Sequence, residues 1–136
     1  MNRVMLTRQL KEDEGLRLKP YRCTENKLTI GYGRNLDARG ISEAEAEMML
    51  KNDIDRVVTQ LKTNSIYQQL DDNRQAVLCN MCFNLGYQGL LSFKRMWAAL
   101  EVSDYQGAAF EMENSKWYQQ VGDRAERLVR IMYTGI

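Results

Sequence analysis

The chain begins with a stretch of helical periodicity. Three apolar side chains within residues 3–12 recur near helical spacing, and Gly15 follows as a stop signal. Glu14 is therefore expected at the C-terminal end of this helix.

The period of the pattern changes to two between Leu18 and Tyr32. In the second half of that stretch, apolar residues alternate with Thr29, Gly31 and Gly33. Such alternation predicts a strand with one packed face and one bare face.

A turn centred on Asn26, a residue that tolerates positive φ, would fold this strand back on the preceding segment. A three-residue turn of this kind places Cys23 opposite Thr29. Both side chains would then share a face with Gly31 and Gly33, which leave room for a bulky ligand. The hairpin alone thus presents a thiol and a hydroxyl beside an open surface.

Helical periodicity returns after the hairpin. Ser42-Glu43-Ala44-Glu45 is a capping box, and apolar positions follow on one stripe as far as Leu61. A helix of about twenty residues would span about 30 Å, which is enough to connect a small N-terminal lobe to a second lobe.

Short helices are predicted beyond Leu61. Asp71 or Asp72 can cap one that runs to about Leu85, and the last covers roughly residues 123–133. Further turn or helix-start signals stand at Gly86, Gly89, Ser92, Ser103 and Ser115. The pattern predicts a mostly α, α+β single domain: an N-terminal lobe at about 1–41, a connecting helix at about 42–61 and a helical lobe at about 62–136.

The composition argues against several classes of function. The 136 residues carry a net charge of +1 without a basic half, which argues against generic nucleic-acid binding. No signal peptide or membrane-spanning run is apparent, so we expect the protein to stay in the cytoplasm until it is released. The absence of histidine excludes Ser-His-Asp and Cys-His mechanisms.

The three cysteines are expected to be reduced. Cys79 and Cys82 have Cys-x-x-Cys spacing but lie in an apolar helical run without a second cysteine pair. We interpret both as buried core thiols rather than as a redox or metal site.

Several segments together resemble a known family. The matching segments, in chain order, are Glu14-Gly-Leu-Arg-Leu-Lys19, Thr29-Ile-Gly-Tyr-Gly33, Asn80-Met-Cys-Phe-Asn-Leu-Gly86, Ser115-Lys-Trp-Tyr118 and Asp123-Arg-Ala-Glu-Arg127. The chain resembles the phage-type lysozymes of glycoside hydrolase family 24 over nearly its whole length. The resemblance implies a two-lobed lysozyme-like fold with a small N-terminal β-hairpin.

The resemblance also implies roles for individual residues. Glu14 would be the general acid, Thr29 would hold the attacking water, and Cys23 stands where most members carry aspartate. Arg124 would orient Glu14, and Arg34 replaces a family histidine and would pair with Asp53. The substrate contacts implied are Tyr32, Asn35, Phe83 and Asn84.

Cysteine for aspartate is the main departure from the family pattern. A thiolate is a good base, but with an ordinary pKa of about 8.5 only a few per cent is ionised at neutral pH. Sulfur also stays closer to the backbone than a carboxylate oxygen, which leaves space for water and favours direct displacement with inversion.

By this resemblance, the chain is expected to be a monomeric endolysin that cuts peptidoglycan between N-acetylmuramic acid and N-acetylglucosamine. It would need no cofactor and no stable protein partner, and a separate holin would give it access to the wall. The alternative is a peptidoglycan-binding module of the same fold, silenced by loss of the aspartate. A helical interaction or nucleic-acid-binding domain has less support.

Overall fold

Helix α1 (Arg3–Glu14) opens the chain, and Glu14 is its last residue, as predicted. The side chain of Asn2 accepts a hydrogen bond from the N–H of Met5 at 3.0 Å and caps the first turn. Gly15 ends the helix with φ of 70°, and its N–H donates to the carbonyl of Lys11. The helix therefore extends two residues beyond the segment whose periodicity predicted it.

The computed structural model describes residues 1–136. It comprises two units, residues 1–48 and residues 49–136. The boundary falls inside helix α3 (Glu43–Leu61). A small antiparallel sheet lies in the first unit and most of the helices lie in the second, which confirms the predicted mostly helical α+β class.

The sheet has three strands in the order β1 (Arg17–Arg22), β2 (Leu28–Gly31) and β3 (Arg34–Asn35). Tyr21 pairs with Thr29 across β1 and β2. The hairpin was predicted, but the third strand was not.

The hairpin register differs from the prediction. The N–H of Cys23 donates to the carbonyl of Lys27 at 3.0 Å, so Lys27, not Thr29, lies opposite Cys23. Asn26 has φ of 60°, as its turn role required, and donates its N–H to the carbonyl of Cys23 at 2.8 Å. Because Thr29 lies two residues from Lys27, Cys23 and Thr29 are diagonal neighbours and still share a face.

The predicted strand does not continue to Tyr32. Gly31 and Gly33 have φ of 69° and 75°, and the chain turns through Tyr32 into β3. The two glycines were interpreted as a bare strand face, but their positive φ values make the turn that brings β3 beside β2.

The short helix α2 (Leu36–Arg39), which was not predicted, leads to α3. The predicted capping box is present: the N–H of Glu45 donates to Ser42 Oγ at 3.1 Å, and the N–H of Ser42 donates to Glu45 Oε1 at 2.8 Å. The helix has 19 residues, in agreement with the predicted length.

Seven further helices form the second unit. They are α4 (Ser65–Gln68), α5 (Asp72–Leu85), α6 (Tyr87–Leu91), α7 (Lys94–Glu101), α8 (Tyr105–Glu113), α9 (Lys116–Val121) and α10 (Asp123–Thr134). Asp71 caps α5 and Ser115 caps α9, as expected. Ser92 instead ends α6, and Asp104 rather than Ser103 caps α8.

The core of the second unit is built mainly by α5, α7, α8 and α10. Its fully enclosed side chains include Leu78, Met81, Met96, Met112 and Met132. Cys82 belongs to this core, whereas Cys79 is only half-buried, with its sulfur 3.5 Å from the Tyr67 hydroxyl. The expectation that both thiols are buried is therefore right for Cys82 alone.

No helix combines the length and the apolar composition needed to cross a membrane.

Candidate active site

The carboxyl group of Glu14 lies against the backbone of Gly33. A Cβ atom placed on Gly33 would be 2.6 Å from Glu14 Oε2 and 2.8 Å from Glu14 Cδ. Such distances are shorter than real Cβ contacts, so the position of this carboxyl requires a residue without a side chain. The turn between β2 and β3 thereby places an exposed carboxyl group beside the sheet.

Cys23 and Thr29 lie on one face of the hairpin in that same unit. Thr29 is the single buried polar residue of the chain, with 4% of its surface exposed. Its hydroxyl donates to the carbonyl of Lys27 at 2.8 Å. Since the proton is engaged there, the oxygen retains lone pairs that can accept a hydrogen bond from water.

The turn favours the ionised form of Cys23. The backbone N–H of Lys27, and to a lesser degree that of Glu25, stabilises the thiolate and lowers the pKa of Cys23 below its ordinary value. The Thr29 side chain makes a smaller contribution in the same direction. More of this thiol is therefore ionised at neutral pH than an unperturbed cysteine would be.

Arg34 has a partner other than the one that the resemblance implied. Its Nη1 donates to Glu45 Oε1 at 2.5 Å, whereas Asp53 was the expected acceptor. Arg34 lowers the pKa of Glu45 to about 2, with a further contribution from the capping bonds of Ser42. The arginine therefore joins β3 to the first turn of α3, while the implied role of Asp53 stays a prediction.

Two implied substrate contacts also lie in the first unit. Tyr32 is exposed at the tip of the glycine turn, and Lys11 Nζ lies 5.4 Å from the centre of its ring. Asn35 accepts a hydrogen bond from the N–H of Ala38 at 3.0 Å and caps α2. Its side chain therefore has a structural role that the sequence did not indicate.

Arg124 is held on α10 by Asn80 of α5. Its Nε and Nη2 donate to Asn80 Oδ1 at 2.9 and 2.6 Å. Arg124, Asn80 and Phe83 line a mainly apolar cavity of about 570 Å³ within the second unit. The implied action of Arg124 on Glu14 stays a prediction.

Phe83 and Asn84 differ in their surroundings. Phe83 is 48% exposed and is therefore not a core residue; with Asp53 it also lines a second cavity of about 380 Å³ in this unit. Asn84 Oδ1 accepts a hydrogen bond from the indole N–H of buried Trp117 at 2.9 Å. Asn84 thus satisfies a core side chain, a role that the sequence motif did not indicate.

Comparison with known proteins matches residues 11–131 to the phage lysozyme family. This range contains every residue singled out above as a candidate for catalysis, positioning or substrate contact. The chain belongs to the phage lysozyme family. The chain is therefore a glycosidase of the lysozyme type.

Three relatives are similar to this lysozyme over most of its length. It is 30% identical to "Probable T4-type lysozyme 1" of Dictyostelium discoideum, over 93% of this chain and 92% of that protein. It is 36% identical to the "Endolysin" of Acyrthosiphon pisum secondary endosymbiont phage 1, over 79% of this chain and 73% of that protein. It is also 29% identical to "Pre-baseplate central spike protein Gp5" of Enterobacteria phage T4, over 97% of this chain but only 28% of that protein.

Three supporting residues were not identified as part of the site from the sequence. Glu45 was recognised as a capping residue, but nothing in its spacing indicated Arg34 as a partner. Asn80 stands within a recognised motif, without a signal for its bonds to Arg124. Asp37 carried no signal, and its side chain accepts the N–H of Leu28 at 2.8 Å.

Proposed function

We propose that this phage lysozyme is an endolysin that hydrolyses the β-1,4 bond between N-acetylmuramic acid and N-acetylglucosamine in bacterial peptidoglycan and thereby lyses the host. The observation that carries the proposal is that the first unit, residues 1–48, contains both groups. In this unit the Glu14 carboxyl lies against Gly33, and Cys23, whose pKa is lowered, lies on one face of the hairpin with Thr29. An acid and a base are the two groups that this hydrolysis needs.

The proposed reaction begins with a proton transfer from the Glu14 carboxyl to the glycosidic oxygen, which leaves as a sugar hydroxyl. The Cys23 thiolate takes a proton from a water molecule that also donates to Thr29. The oxygen of that water bonds to the anomeric carbon, and the configuration inverts. Cys23 then gives up its proton and Glu14 regains one through solvent, which restores both groups.

Replacing Glu14 with glutamine tests the acid. The amide keeps the shape but cannot donate the proton, and loss of a general acid costs about 10²–10⁴ in rate. The assay is the clearing of a peptidoglycan suspension, with Glu12→Gln as a matched control because it makes the same chemical change on the same helix. A folded Glu14→Gln variant with substantial activity would refute the assignment.

The bond cleaved is tested on the products. Borohydride converts reducing ends to sugar alcohols, so mass spectrometry of the released fragments should show reduced N-acetylmuramic acid. Reduced N-acetylglucosamine instead would place the cut at the other glycosidic bond. Proton NMR at early times should show the inverted anomer, and the retained anomer would contradict direct displacement.

The role of Cys23 is tested by substitution and by alkylation. Cys23→Ser should be much slower because a hydroxyl is a far poorer base, whereas Cys23→Asp should stay active with its alkaline dependence removed. Iodoacetamide should inactivate in proportion to its modification of Cys23. Trypsin cleavage after Arg22 and Lys27 separates this thiol from Cys79 and Cys82, so mass spectrometry can measure its modification alone.

Two results would contradict the role of Cys23: full activity after verified alkylation, or a Cys23→Ser variant as fast as the parent. A protein that binds peptidoglycan but never cuts it would instead support the silenced binding module. The lowered pKa of Cys23 favours the enzyme, since a base must be ionised to work.

Access to the wall through a holin, action as a monomer and independence from a stable protein partner are further parts of the proposal. Addition of the purified protein to intact and to permeabilised cells tests the first. Lysis of permeabilised cells alone is the expected result.

A further inference from the structure

The side chain of Asp37 replaces a missing strand partner at the edge of the sheet. Leu28 pairs with Arg22 on one side, and its N–H points to the other side, towards β3. β3 ends at Asn35, so no backbone carbonyl continues the ladder there. Asp37 Oδ2, on α2, accepts this N–H at 2.8 Å.

The same oxygen also holds Arg22. Arg22 Nη1 lies 3.6 Å from Asp37 Oδ2 and donates to the carbonyl of Asn26 at 3.4 Å. Asp37 therefore holds Leu28, the residue after Lys27, by a direct hydrogen bond. It holds Asn26, the residue before Lys27, through Arg22. Lys27 is thus restrained by contacts on both sides.

Lys27 is also the residue whose backbone acts most strongly on Cys23. Its N–H is the main group that stabilises the thiolate, and its carbonyl accepts both the Cys23 N–H and the Thr29 hydroxyl. A small displacement of this residue would therefore alter the environment of both Cys23 and Thr29.

We propose that Asp37 is a positioning residue for the reaction, and that it sets the reactivity of the Cys23 thiolate by holding Lys27 in place through Leu28 and Arg22. The inference rests on the proposed role of Cys23 as the base. Asp37 does not touch the substrate in this scheme. Its effect reaches the reaction through the geometry of the turn.

Other charges on these elements do not explain the same effect. Glu25, in the turn, raises the pKa of Cys23 by its negative charge, and Asp37 would act in that direction if charge alone mattered. Arg22 and Lys27 carry positive charges on the two strands. Removal of the Asp37 carboxylate should therefore ease ionisation by charge but hinder it by geometry, so the two explanations predict opposite shifts.

The test measures alkylation of Cys23 by iodoacetamide as a function of pH, without substrate. The tryptic peptide that contains Cys23 is quantified by mass spectrometry. In Asp37→Ala the pH midpoint should rise, and the rate at neutral pH should fall severalfold. Asp37→Asn should restore most of the parent behaviour, because its amide oxygen can still accept the Leu28 N–H.

The rate of peptidoglycan hydrolysis should fall in the same order as the alkylation rate in the parent, Asp37→Asn and Asp37→Ala proteins. The loss should appear in kcat rather than in KM. A midpoint that stays unchanged or falls in a folded Asp37→Ala variant would overturn the proposal. So would an Asp37→Asn variant as impaired as the alanine variant. Circular dichroism and thermal unfolding identify which variants are folded.

Arg22→Lys provides a second route if Asp37→Ala does not fold. It keeps the positive charge but removes the guanidinium group that donates to Asn26 and pairs with Asp37, and it should give a smaller shift in the same direction; no shift would contradict the proposed restraint of Lys27. Alkylation is measured without peptidoglycan, so an effect of Asp37 on Cys23 can be observed even if the proposed hydrolysis is wrong. The Glu14→Gln experiment tests the hydrolysis separately.

Discussion

Replacing Gly33 with alanine should impair catalysis far more than stability. The new Cβ would lie 2.6 Å from Glu14 Oε2, whereas ordinary van der Waals contact begins at 3.4 Å. The carboxyl group must therefore move by about 0.8 Å. It lies at the end of a flexible side chain, so it can move without disrupting the fold.

The expected magnitudes differ for the two properties. An alanine held at φ of 75° costs about 1–2 kcal/mol in the free energy of unfolding, because its Cβ approaches the following carbonyl. A reacting group misplaced by about 1 Å can cost about 10² in rate. The fold should therefore survive, while most of the activity should be lost.

Gly31→Ala is the matched control. Gly31 has φ of 69° in the same turn, but a Cβ there would meet nothing within 4 Å. Both variants should unfold at similarly reduced temperatures by calorimetry, and only Gly33→Ala should lose about 10² in the rate of peptidoglycan clearing. Equal activity in the two variants would refute the argument that Gly33 fixes the position of Glu14.

Three other predictions follow from single contacts. Glu45→Gln should lower the melting temperature at neutral pH. Because the pKa of Glu45 falls from 4.5 to about 2 in the folded protein, the parent should melt at a higher temperature than the variant above about pH 4.5. This difference in melting temperature should disappear as the pH falls towards 2. Asn84→Ala should cost about 1–3 kcal/mol in chemical unfolding with little change in rate, because the buried indole N–H of Trp117 loses its acceptor; lost activity at unchanged stability would instead support substrate contact. Arg124→Met should lower activity more than stability and move the pH–rate profile, and an unchanged profile would show that Arg124 does not act on Glu14.

Short-range signals predicted much of this fold. The ends of α1 and α3 follow from Gly15 and from the capping box at Ser42–Glu45, since caps bond to backbone groups only a few residues away. Ser115 was predicted as a helix start for the same reason, as was Asp71 or Asp72, of which Asp71 is the cap. The position of Glu14 at the end of its helix could therefore be derived from the sequence, whereas the register of Cys23 in the hairpin could not.

Features that depend on dihedral angles or on distant partners could not be derived. Alternation does not distinguish a bare strand face from a turn, so the pattern predicts one strand through Gly31 and Gly33, whereas their positive φ values form a turn. The partner of Arg34 depends on where α2 directs the chain before α3. Asn84 likewise meets Trp117 only after the three intervening helices have packed, and no local pattern records that contact.

The bond between Arg34 and Glu45 also affects how this lysozyme can be studied. A guanidinium keeps its charge up to about pH 12, whereas the histidine that the family resemblance places here would lose its charge near pH 6.5. The link between β3 and α3 is thus insensitive to pH through the neutral range. Because the chain contains no histidine, none of its side chains has an ordinary pKa between about 5 and 8. A kinetic titration in that range should therefore report on Cys23, whose pKa is lowered, with little interference from the scaffold.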